Sequence, residues 1–253
     1  MKIIVTNDDG IESNGIKYLA KAIAKLGDVY IVAPRTPQSA GSHAMTLHKP
    51  LRVDEYPLNV GEKKALRVSG TPADCVLLAL DVLVKGKVDL VVSGINEGPN
   101  IGSDVIYSGT VAGAREGALN GIPSIAVSLD AYKDFNFDVA SKFTYLFAKK
   151  ILEEKIEDRI YFNINIPNVN EEEIKGVKFV KQGIRTYKDR VLIGKDPFER
   201  TFYWIGGKVV DDDEKDTEND AVRNNFIAVT PMSVDLTDYS WLKKLKDWKI
   251  QFP

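Results

Sequence analysis

An alternation limits how this chain can fold more than any other feature. In the first half, short β-branched runs at 2–6 (KIIVT), 28–33 (DVYIVA), 88–93 (VDLVVS) and 124–128 (SIAVS) are separated by stretches with helical apolar spacing, predicted as helices over 15–26, 72–84, 110–120 and 138–154. That pattern belongs to βαβ units, which set mostly parallel strands in one sheet and lay helices across its faces. In the first unit Ile16, Leu19, Ala20, Ile23 and Leu26 mark one helical face, and Gly27 stands where a helix stops. The strand runs end in polar, Gly- or Pro-containing stretches: NDDG, PRTPQSAGSH and GINEGPNIGSD. In an open α/β sheet such loops gather at the carboxyl edge of the strands, where ligands bind. Three loops are therefore predicted to build one pocket.

After Pro167 the texture changes. VKFVKQG, RVLIGKD and TFYWIGGKVV are short runs with turns between them and predict hairpins rather than crossovers. Asp211 to Asp220 (DDDEKDTEND) predicts a solvated loop, and FIAVTP one more strand. Trp241, Leu242, Leu245 and Trp248 recur near helical spacing at the end, which suits docking or subunit contact better than chemistry.

Composition narrows the partners. A chain of 253 residues buries roughly 70–75% of its unfolded surface, enough for one large α/β domain. Its formal charge of -2, with 28% charged residues, gives no electrostatic case for nucleic acid. No apolar run approaches a membrane span, and Met1-Lys2 leads straight into Ile3-Ile4-Val5 without a signal-like stretch, so a cytoplasmic location is expected. The single cysteine, Cys75, agrees with a reducing compartment, and its apolar flanks mark it as a structural thiol.

The residues Asn7-Asp8-Asp9-Gly10 follow the first strand run. Asp-Gly alone would suit a hairpin turn, yet helical spacing follows it. Two adjacent carboxylates at a strand's carboxyl end repel each other unless a cation lies between them, which favours a hard metal such as Mg²⁺, Mn²⁺ or Ca²⁺ over a plain turn. Neutral oxygens to complete such a site stand just past two other strands, at Ser39 and Ser42 and at Asn96. In Tyr107-Ser108-Gly109-Thr110, Ser108 or Thr110 can cap a helix whose free N–H groups would also take phosphate; capping and binding stand level on spacing alone. Thr71-Pro72 reads as a helix cap with Pro at the first helical position.

Absent motifs remove competitors. There is neither a P-loop nor a G-x-G-x-x-G after the first strand, and no G-x-S-x-G elbow with a downstream His. The two histidines both lie early: His48 reads as a surface residue, while His43, within the Ser39 loop, is placed to orient a phosphate or relay a proton should it reach the site.

Taken together, VTNDDGI at 5–11, VAPRTPQSAGSH at 32–43, SGTPADCV at 69–76, SGINEGPNIGSDVIYSGTV at 93–111 and AVTPM at 228–232 resemble the SurE family, metal-dependent phosphatases acting on nucleoside monophosphates. The resemblance implies a Rossmann-like three-layer core with a mostly parallel sheet, a β-hairpin extension and a carboxyl-terminal arm that makes homodimers or homotetramers. It implies one domain over 1–253, with the core at 1–167, the extension at 168–225 and the last strand and arm at 226–253. It further implies one Mg²⁺ or Mn²⁺ per subunit on Asp8, Asp9, Ser39 and Asn96, and a phosphate pocket of Ser108, Gly109 and Thr110 with Asn100, Ser42 and His43 as neighbours. The chain departs from the family pattern at Glu218, after Thr217, where Asp is usual; at Asn225, where Gly is common; and at Gly113 and Arg115.

The expected reaction is hydrolysis of a nucleoside 5′- or 3′-monophosphate to nucleoside and phosphate, with water favoured as nucleophile because both carboxylates are committed to the metal. Two other classes share part of the pattern. A signalling receiver also places an acidic pair after its first strand, but VDLVVS ends in Ser93-Gly94 rather than a phosphoacceptor Asp. A nucleotide-binding regulator would keep the pocket and turn nothing over.

Overall fold

The structure is a computed structural model that describes residues 1–156, 158–250 and 252. Its elements run β1 (Lys2–Thr6), α1 (Asn14–Ile23), β2 (Asp28–Pro34), β3 (Val53–Glu55), β4 (Lys64–Val68), α2 (Pro72–Leu78), β5 (Leu90–Glu97), α3 (Asp104–Tyr107), α4 (Gly109–Leu119), β6 (Ser124–Asp130), α5 (Phe137–Glu154) and β7 (Ile160–Pro167). There follow β8 (Gly176–Phe179), β9 (Arg185–Lys188), β10 (Val191–Lys195), β11 (Thr201–Ile205), β12 (Lys208–Asp211), α6 (Glu218–Arg223), β13 (Phe226–Ser233) and α7 (Tyr239–Leu245).

The main sheet has the order β3-β4-β2-β1-β5-β6-β7-β13-β8. The six strands from β4 to β7 in that order are parallel, as the alternating sequence requires. The chain leaves β1 toward β2 on one side and returns through β5 on the other. Strand order therefore reverses between β1 and β5, which opens a crevice at their carboxyl ends.

The middle strands are mostly apolar on both sides because helices cover both. Ile3 and Val5 of β1 pack with Ile16 and Leu19 of α1 and Ile151 of α5, whereas Ile4 faces Cys75 and Val76 of α2. Cys75 is fully buried and burial pushes its thiol well up, as a structural residue should behave. The α2 helix has the predicted start: Thr71 Oγ1 accepts the Asp74 N–H at 3.1 Å, and the Asp74 carboxylate returns to the Thr71 N–H at 2.9 Å. The predicted helix over 72–84 divides, continuing from α2 as a π-helical turn over Ala79–Leu83.

Differences from expectation concentrate in the second half. VKFV (177–180) is not a hairpin strand: β8 joins the main sheet beside β13 and parallel to it. True ribbon is confined to β9–β12, where β9 pairs with β12 and β10 with β11. The acidic run is not wholly solvated either. Thr217, Glu218 and Asn219 are buried, and α6 packs against β13 and β7. Asn225 takes φ 61°, so it fills the left-handed position that a glycine would otherwise occupy.

Candidate active site

The site grows out of the turn after β1. The Asn7 amide closes this turn by donating to Gly10 O at 2.9 Å and Ser13 Oγ at 2.8 Å. Gly10 sits at φ 92°, a conformation that side chains disfavour, and from there the chain passes into α1 rather than into a returning strand. The turn aims two carboxyls into the crevice between β1 and β5.

Asp8 is almost fully buried. The Thr110 hydroxyl donates to its Oδ1, and a Cβ added to Gly109 would stand 2.9 Å from its Oδ2, so α4 begins directly against this carboxylate. Burial raises the Asp8 pKa, while hydrogen bonds from the Thr110 hydroxyl and the α4 backbone oppose that rise. Asp9 is half-buried and is pushed up to about 7, first by burial and then by the negative charge of Asp8. The Glu97 N–H, at 3.2 Å from Asp9 Oδ2, works the other way.

Asn96 lies at the end of β5, where its amide donates to Gly98 O at 2.7 Å. Ser39 comes from the loop after β2, which is pinned by Gln38 N–H to Asp8 O at 2.7 Å. Ala40 and Ser42, on either side of Gly41, are held at φ 56° and 53°, an uncommon conformation for residues with side chains.

Asp8, Asp9, Ser39, Asn96, Asn100 and Ser108 line one cleft of about 660 Å³. The other four predicted residues stand behind it. Ser42 donates through its hydroxyl to Ile106 O and through its N–H to Tyr107 O, both at 2.8 Å, and so ties the Ser39 loop to α3. His43 Nε2 lies 2.7 Å from Glu116 Oε2 on α4 and fastens the same loop further back. Gly109 and Thr110 back Asp8 as described. Ser108 caps α4, accepting the Val111 N–H at 3.0 Å. The structure shows the capping, and Ser108 also stands on the cleft wall.

The residues suit a hard cation. Among the described residues no three His, Cys, Asp or Glu side chains converge on one point, which is wrong for a thiolate or imidazole metal centre. Two carboxylates with a hydroxyl and an amide oxygen on the same cleft are the donor set that Mg²⁺ or Mn²⁺ takes, with room left for water or substrate.

Sequence reasoning missed two features. One is a buried polar frame beneath the loop after β5. Asn100 O accepts from Asn163 and Asn165 at 2.8 and 2.9 Å, and Glu218 accepts from Asn163 at 2.9 Å and from the Gly102 N–H at 2.8 Å. Burial raises the Glu218 pKa, with those hydrogen bonds opposing. The other is how the ribbon meets the cleft: the sequence predicts that base selectivity depends on the loops around 97–107 and 183–200, but not that Tyr187, Arg190 and Gly206-Gly207 reach the cleft wall.

Fold and site together define an open α/β protein with a paired-carboxylate centre in the crevice where its parallel sheet reverses order. Comparison with known proteins says which one. Residues 3–189 match the family model described as Survival protein SurE. The chain is 46% identical over 246 residues to the 5′-nucleotidase SurE of Moorella thermoacetica, covering 97% of this chain and 95% of that protein. It is 44% identical over 250 residues to the 5′-nucleotidase SurE of Chlorobium chlorochromatii, covering 98% and 92%. The crystal structure of the Sure protein from Aquifex aeolicus superposes with a TM-score of 0.84 at 42% identity, covering 97% of this chain and 98% of that one. The chain belongs to the SurE family.

Proposed function

We propose that this protein is a divalent-metal-dependent phosphomonoesterase that hydrolyses nucleoside 5′-monophosphates, and 3′-monophosphates at the same centre, to nucleoside and inorganic phosphate. The observation that carries the reading is the meeting of Asp8 and Asp9 with the start of α4 in one cleft of nucleotide size. The names of the relatives support the nucleotidase assignment.

Asp8, Asp9, Ser39 and Asn96 would hold one Mg²⁺ or Mn²⁺ per chain. When bound, the cation supplies charge neutralisation to the phosphoryl oxygens and makes nearby water more acidic. The chain's own groups do the rest. The Ser108 hydroxyl lines the cleft and would hold a non-bridging oxygen as charge shifts during transfer, while the Gly109 and Thr110 N–H groups are spent on the Asp8 carboxylate behind it. Thr110 keeps its hydroxyl on Asp8 and so fixes the carboxylate rather than the substrate. Water attacks phosphorus, the P–O bond to the sugar breaks and the nucleoside leaves as its alcohol.

The same reading includes a homo-oligomer and a cytoplasmic setting. Trp241, Leu242, Leu245 and Trp248 of the terminal arm are exposed, which favours burial against another copy. No helix among the described residues is long and apolar enough to cross a membrane.

Phosphate release from AMP with added Mn²⁺ or Mg²⁺ tests the reading. Release that a chelator abolishes is the expected result. Tight AMP binding without release under both metals would favour a regulator instead.

A further inference from the structure

The ribbon is broken where it reaches the cleft. Pairing of β9 with β12 stops at Lys188↔Lys208, and pairing of β10 with β11 begins at Val191↔Ile205. Asp189-Arg190 and Gly206-Gly207 thus lie opposite one another outside both ladders, tied by the Gly206 N–H to Arg190 O at 2.9 Å. Asp189 is left-handed at φ 52° and Gly207 sits at φ 130°, where a Cβ would come within 2.6 Å of Lys188 O. Interruptions of this kind re-aim side chains, and this one puts Arg190, Gly206 and Gly207 on the cleft wall with Ile205.

Arg190 is the one cationic side chain among the described residues lining that cleft, and it makes no ion pair among them. Tyr187, three residues earlier, is committed, donating its hydroxyl to Asp104 Oδ2 at 2.7 Å. Arg185 grips the same carboxylate at 3.4 Å and Asp211 at 2.5 and 3.0 Å, while the Ser103 hydroxyl donates to Arg185 O. The root of the ribbon is therefore clasped to α3, the element that leads into Ser108.

We infer that Arg190 is a specificity-determining residue that lays its guanidinium on the face of the nucleobase, and that Asp104 is the positioning residue that holds the ribbon there. The inference rests on the phosphomonoesterase reading. In that reading the metal on Asp8 and Asp9, with Ser108, already serves the phosphoryl group, so the Arg190 cation is left for the leaving half of the substrate. The leaving half is an uncharged nucleoside, and a planar guanidinium recognises it by stacking. Ile205 and the side-chain-free Gly206-Gly207 stretch beside it suit a flat ring.

Ribose 5-phosphate, which keeps sugar and phosphate and lacks the base, provides the contrast. Steady-state kinetics of wild type, Arg190→Ala, Arg190→Lys and Asp104→Asn are compared on AMP and ribose 5-phosphate with Mn²⁺. In Arg190→Ala the preference for AMP, as a ratio of kcat/KM values, falls about tenfold and the loss lies in KM rather than kcat. Arg190→Lys, which keeps the charge and loses the plane, recovers little of it. Asp104→Asn moves the ratio the same way by about threefold, again through KM, which a general loss of folding would not do. An unchanged ratio in Arg190→Ala, or an equal fall on both esters, overturns the inference while wild-type turnover keeps the phosphomonoesterase reading intact. Absence of wild-type turnover on either ester overturns both.

Discussion

Asp9 couples the site to pH. Its folded pKa of about 7 lies above the ordinary 3.8, so without a cation the folded state holds a proton that the unfolded chain releases. That contribution is complete below about 3.8 and is lost as pH rises through about 7. In chelator, the Tm of wild type relative to Asp9→Asn should therefore fall across this interval. A bound dication favours the ionised carboxylate, so the Tm gain from Mn²⁺ should grow with pH over the same range. Melting curves with and without Mn²⁺ at several pH values check both signs. Asp8→Asn should lower kcat/KM more than about 100-fold with little change in Tm, because it removes a proposed metal ligand and leaves the packing. Glu218→Ala is a different case. It strands the Gly102 N–H and the Asn163 amide and should cost about 1–3 kcal/mol in urea unfolding.

The α4 helix shows how closely an element is fitted to the site. A Cβ on Gly109 would fall 2.8 Å from Asp8 Cβ, so Gly109→Ala should push the carboxylate aside and weaken Mn²⁺ binding by about tenfold or more, although alanine suits a helix better. Titration calorimetry reads the change. Gly113, a departure from the family pattern, lies where a Cβ would meet Ser93 Oγ at 2.8 Å, so it too permits close packing of α4 on β5. Elements whose burial is written as unbroken apolar runs were legible in the sequence: β1, β2, β6 and the helices that cover them. β7 was not, because Asn163 and Asn165 occupy buried positions and make YFNINIP look half solvated; their cost is met by hydrogen bonds to Asn100, which is far away in sequence. Charge misled in the same way at Thr217 to Asn219. The acid and α4 side of the cleft could be read because each of its residues sits at the end of an element and within a short motif. The Arg190 wall could be read only as a stretch, 183–200, since the break that aims its side chains depends on pairing between residues that only the ribbon brings together.

At the scale of the molecule, the chain leaves a large apolar surface uncovered. Leu236 and Tyr239 continue the exposed face of the arm, and Phe202, Tyr203 and Trp204 stand out on the ribbon. A single chain gains little from presenting these rings to water, whereas the proposed oligomer would bury them. Deleting residues 236–253 should reduce the particle size measured by light scattering, and an unchanged mass would rule the arm out as a subunit contact. The core leaves such a chain folded, because β13 and its partners β7 and β8 precede the cut.

The central claim is that two adjacent acids are tolerated because a dication sits between them and the substrate. Calorimetric titration of Mn²⁺ into wild type, Asp8→Asn and Asp9→Asn addresses it most directly. One site per chain in wild type, lost or weakened more than about 100-fold in either variant, is the predicted result. Equal Mn²⁺ binding by all three proteins, or none by wild type, would contradict it.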